Sequence, residues 1–73
     1  MVLRRMTDQE FLRRLRRYAR RHGMRVEYLP DRGKGSHAQI RLGHRTTTVR
    51  RGELGPGLLR TMLRDLDIDK REF

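Results

Sequence analysis

The sequence predicts an α+β fold of two layers, a three-stranded antiparallel sheet with both helices on one of its faces. Three observations predict it. Residues 7–23 repeat apolar side chains at helical spacing, residues 25–51 hold three short strand-like runs separated by turn residues, and residues 56–68 return to helical spacing. Each helix then has one apolar stripe to bury. The apolar face of a meander is where two such stripes can go together.

The elements follow in order. In "TDQEFLRRLRRYARRHG", Thr7 and Glu10 have the S/T-x-x-E spacing of a capping box, and Gly23 suits the left-handed residue just past a helix end. Phe11, Leu15, Tyr18/Ala19 and His22 make the stripe, with Leu12 at its edge, and six arginines between Arg13 and Arg21 fill the rest of the circumference. "MRVEYLP" gives a short strand over 25–29, with Val26 and Tyr28 on one face, ended by Pro30, which has no N–H to donate. "DRGKG" is a basic glycine loop. "SHAQIRL" alternates, placing Ala38, Ile40 and Leu42 on one face and His37, Gln39 and Arg41 on the other. "GHR" is a tight turn and "TTTVRR" the returning strand. Pro56 opens the second helix at its favoured first position, and Leu58, Leu59, Met62, Leu63 and Leu66 form the buried stripe. "DIDKREF" reads as one more helical turn, with Phe73 docking back. The helices cover the Ala38/Ile40/Leu42 face, which leaves His37, Gln39 and Arg41 on the open one.

Length and charge bound the function. At 73 residues the chain is expected to form one domain over 1–73. A chain of that size buries only about 60% of its unfolded surface, so any chemistry belongs in a shallow groove. There are no cysteines, which excludes disulfides, thiolate nucleophiles and Cys-based metal sites. With no apolar run long enough to span a bilayer and no signal-like stretch at the start, the expectation is a cytoplasmic protein without a membrane partner. The net charge is +10, carried almost wholly by arginine, since Lys34 and Lys70 are the only lysines. That field favours a polyanion, and the guanidinium fork matches phosphate.

The chemistry open to this composition is narrow. His22, His37 and His44 fall on three elements without metal-ligand spacing, and Ser36, the only serine, neighbours His37 on what should be the opposite strand face, so neither a metal site nor a serine triad has support. Cleavage of RNA by transesterification asks for less. The ribose 2′-OH is the nucleophile, and the protein supplies proton transfer, for which histidine is suited near neutral pH, and cations for the charge that develops on phosphorus. His37 would be the proton-transfer group. Arg32, Lys34 and Arg41 would hold the phosphate, and the backbone N–H groups of Gly33 to Ser36 would form an anion nest. No metal or small-molecule cofactor is called for. On spacing alone, a histidine in this position is more often an ordinary polar residue of an exposed strand.

Three stretches resemble one family. "GKGSHAQI", Gly33 to Ile40, is similar to the G-S-H segment of HicA toxins of bacterial HicA–HicB toxin–antitoxin pairs. "TTTVRRGELGPGLLRTMLRDLDI", Thr46 to Ile68, resembles that family's T-[IV]-P…-E-[IL]-x-x-G-T-L-R-x-I-L segment, and "DIDKREF" its I-S-x-E-E-F ending. The resemblance implies a double-stranded-RNA-binding-domain-like α-β-β-β-α fold, metal-independent endoribonuclease (mRNA interferase) activity, and neutralisation by a HicB-like antitoxin. It maps the catalytic histidine onto His37, with Gly35 and Ser36 before it. Ala38 stands where relatives often carry a second histidine or a basic residue, and Arg50 where they carry proline, which makes Arg50 a further candidate phosphate ligand. No second proton-transfer group is evident; one histidine serving in turn as base and acid would meet the need. The rival readings are a non-catalytic RNA-binding module and an interaction protein that docks an acidic partner.

Overall fold

A computed structural model describes residues 4–30 and 37–73 of the chain. In order, the elements are β1 (Met6–Thr7), α1 (Asp8–Arg21), β2 (Val26–Leu29), β3 (His37–Leu42), β4 (Arg45–Arg50), β5 (Glu53–Leu54) and α2 (Pro56–Asp65). The expected meander is present, an antiparallel sheet of order β2-β3-β4. A two-residue hairpin turn, Gly43-His44, joins the Leu42↔Arg45 pair, and Gly43 takes the positive φ of 62° that the turn needs.

The cap of α1 forms as its sequence suggests, in part. Thr7 is extended, and its Oγ1 accepts a hydrogen bond from the Glu10 N–H at 3.1 Å. Asp8 reaches instead to the turn after β4, where its Oδ1 accepts from the Gly52 N–H at 3.1 Å and its own N–H donates to the Gly52 carbonyl at 2.8 Å. At the other end Gly23 has φ 63°, and the Met24 N–H donates to the Ala19 carbonyl at 2.8 Å, a Schellman closure.

Both helices lie on one face of the sheet. Ala38, Ile40, Leu42 and Val49 meet Phe11, Leu15, Tyr18 and Ala19 of α1 and Leu59, Met62 and Leu63 of α2 in one buried cluster. Val26 and Tyr28 pack against it from β2, as their parity requires.

Two features differ from the sequence reading. Met6 and Leu54, both buried, pair in a two-stranded ribbon of β1 and β5 that joins the starts of the two helices. Strands of two residues show no periodicity, so the pattern could not announce them. The tail does not add a helical turn. The helix stops because Asp67 takes φ 58°, and the Ile68 N–H donates to the Leu63 carbonyl at 2.9 Å in a second Schellman closure. A β-turn follows, in which the Glu72 N–H donates to the Asp69 carbonyl at 2.9 Å. Phe73 does dock back. Its ring lies 5.0 Å from that of Phe11, with the Arg14 guanidinium 4.9 Å from its centroid.

Candidate active site

His37 begins β3 and is exposed, as alternation predicts, with Ala38 beside it fully buried. The register sets it opposite Arg50, the last residue of β4. Among the described candidates, these two are the ones the fold brings together. Arg41 lies four residues further along β3, about 14 Å at the usual strand rise. There it faces β2, with its guanidinium 3.6 Å from the Glu27 carboxylate. Arg32, Gly33, Lys34, Gly35 and Ser36 lie outside the described residues.

His37 and Arg50 also line a cleft of 340 Å³ between the sheet and α2. The sheet wall includes Thr47 and Thr48, neighbours whose side chains leave opposite faces of β4. The cleft therefore runs around the edge of β4, the outer strand of its sheet. Leu58, Thr61, Met62 and Asp65 make the α2 wall, a single stripe at helical spacing.

The polar groups of the cleft are ordered. Thr47 is the buried polar side chain of the described residues, and its Oγ1–H donates to Asp65 Oδ2 at 2.8 Å. Thr61 Oγ1–H donates to the Gly57 carbonyl at 3.2 Å, one turn back in α2. Arg50 has no ion-pair partner among the described residues. Its charge is available to an anion that enters beside His37.

The sequence reading missed Thr47 and Asp65. Thr47 shares the inward parity of Val49 and lies opposite the buried Ile40. A hydroxyl at such a position needs a hydrogen-bond partner. Only the docking of α2 identifies that partner as Asp65.

The other histidines serve elsewhere. His22 ends α1, stacks on Tyr18 at 4.2 Å and lies 3.7 Å from a Glu72 oxygen. His44 sits in the β3–β4 turn. Among the described residues no group of three or more His, Asp or Glu side chains is placed to hold a metal ion. No helix among them is long and apolar enough to cross a membrane.

A family model described as the HicA toxin of bacterial toxin-antitoxin matches residues 12–68, which include His37, Arg50 and both walls of the cleft. Searches of curated proteins and of solved structures found no match. With the match spanning well over half of the 73 residues and the helix–sheet–helix order in place, the chain belongs to the HicA toxin family of toxin–antitoxin systems.

Proposed function

We propose that this toxin is a metal-independent endoribonuclease, an mRNA interferase that cuts mRNA in the cytoplasm through His37. The observation that carries the reading is the pairing of His37 with Arg50 at the mouth of one cleft. A proton-transfer group and an uncommitted cation are there side by side, which is what phosphodiester transesterification asks of a protein. The ribose 2′-oxygen attacks phosphorus and the 5′-oxygen leaves. His37 is the catalytic acid/base, and Arg50 offsets the added charge on the phosphorane. Arg32, Lys34, Gly35 and Ser36, which precede His37 in the chain, add to the binding of phosphate. Arg41 holds a flanking phosphate.

The chain acts as one domain over 1–73, with a double-stranded-RNA-binding-domain-like fold whose edge cleft is used for cleavage. Its antitoxin is an acidic, HicB-like protein that covers His37. The exposed arginines Arg13, Arg16, Arg17 and Arg20, none ion-paired among the described residues, suit such a partner.

The test is cleavage of a purified mRNA, with and without EDTA, by the wild type and by His37→Ala. Loss of cleavage in the folded variant and indifference of the wild type to EDTA are expected. Wild-type cleavage by His37→Ala overturns the role of His37. RNA bound but left intact by the wild type points to the non-catalytic binding module.

A further inference from the structure

We propose that Gln39 reads an unpaired RNA base beside the cut, on the open face of the sheet, an inference that rests on the endoribonuclease reading. Gln39 lies two residues from His37 in β3. Residues i and i+2 of a strand share a face, so Gln39 projects on the side of His37, about 7 Å along the strand. The register puts Leu29 of β2 and Thr48 of β4 directly across from it, each about 5 Å away. All three belong to the open face, because their chain neighbours Tyr28, Ala38, Ile40, Thr47 and Val49 turn toward the helices.

The row Leu29, Gln39, Thr48 suits a base in both its edge and its face. Gln39 is half-buried, and among the described residues its side-chain amide makes no hydrogen bond. A side-chain amide has two N–H donors and a carbonyl acceptor, the complement of a base edge. The Thr48 hydroxyl is exposed and equally uncommitted among the described residues. Leu29 is half-buried but is not among the side chains packed on the core, so its apolar surface belongs to the open face. There it can meet the flat side of a base while Gln39 meets the edge. Bases of single-stranded RNA are open on both.

Charge selects RNA as the occupant of this face. Glu27 is the only carboxylate of β2, β3 and β4, and Arg41 across from it lies 3.6 Å away. Arg50, at the end where His37 stands, has no ion-pair partner among the described residues. A phosphate is therefore held at the His37–Arg50 end, and the row beside it receives the neighbouring nucleotide. Phosphate contacts fix where a strand lies, and contacts to base edges make binding depend on sequence. Gln39 supplies the second kind of contact next to the first.

The experiment digests a pool of single-stranded RNA of randomised sequence with the wild type, Gln39→Met and Arg41→Ala, and sequences the cut ends. Methionine keeps the reach of glutamine and removes its hydrogen bonds. Base preference is a ratio of rates within one digest, so a slow or partly unfolded variant still reports it. The wild type is expected to favour one base at a position next to the cut. Gln39→Met is expected to lower that preference about tenfold while it goes on cutting. Arg41→Ala removes a phosphate contact, so it should slow all sequences alike and keep the preference. Gln39→Met with the wild-type preference overturns the proposal while the nuclease reading stands. So does a wild type that cuts with no base preference beside the cut, or an Arg41→Ala that loses the preference to the same extent. A wild type that cuts no RNA overturns the nuclease reading, and this inference with it.

Discussion

At the scale of single residues, the hydroxyl of Thr47 and the backbone of Asp67 each make a measurable demand. Thr47→Val keeps the β-branched shape on the inner face of β4 and removes the bond to Asp65. Because Asp65 is exposed and can turn to water, the loss should be modest, about 1 kcal/mol, read from the urea midpoint at unchanged m-value. Asp67 occupies the left-handed region at φ 58°. Asp67→Gly removes a penalty of about 1 kcal/mol and should raise the melting temperature. His37 was legible as an outward residue because its strand alternates without a break. Asp65 was not. Its neighbours in the chain read as a solvated helix end, and only the approach of α2 to β4 gives its carboxylate the Thr47 hydroxyl as a partner.

At the scale of elements, caps decide where the helices begin and end. Thr7→Ala should cost about 1 kcal/mol, because the Glu10 N–H loses its acceptor, and thermal denaturation would show it. The closing turn has its own lock. Asp69 accepts hydrogen bonds from the Arg71 side chain and from the Arg71 N–H, which hold its carboxyl below the ordinary aspartate range. A lowered pKa means that the contribution is present at neutral pH and fades as pH falls through that lowered value. A lower protection factor for the Arg71 amide in acid, corrected for the intrinsic exchange rate, with α1 unchanged, is the expected sign. The long elements were legible, α1 from its cap signals and β3 from strict alternation. The tail misled because "DIDKREF" has a helical composition. What stops it is a backbone closure at Asp67, a residue that composition does not mark as a helix terminator.

At the scale of the whole molecule, the excess of arginine makes the proposed binding of RNA strongly dependent on salt. Each phosphate contact to a single strand steepens the fall of affinity with salt by about 0.7 on a log–log scale. Arg50→Ala should flatten that slope by about one such contact, measured as RNA binding between low and moderate salt. An unchanged slope would place Arg50 outside the bound path. The two layers and the face the helices cover were legible in the sequence. The cleft was not, because it is the seam between the last strand of the meander and a helix that reaches it only after the β5 segment.

The short ribbon of Met6–Thr7 with Glu53–Leu54 bears on time as well as shape. It ties together the two ends of a segment that holds α1 and the entire meander. The β3–β4 hairpin closes over two residues and can form within microseconds. The ribbon must wait for a much longer loop to shut, and its closing entropy is correspondingly larger. The sheet can therefore exist before α2 is drawn across its edge. Until that happens the 340 Å³ cleft has only one wall, and a newly made chain carries His37 and Arg50 before the α2 side of the cleft they line is in place.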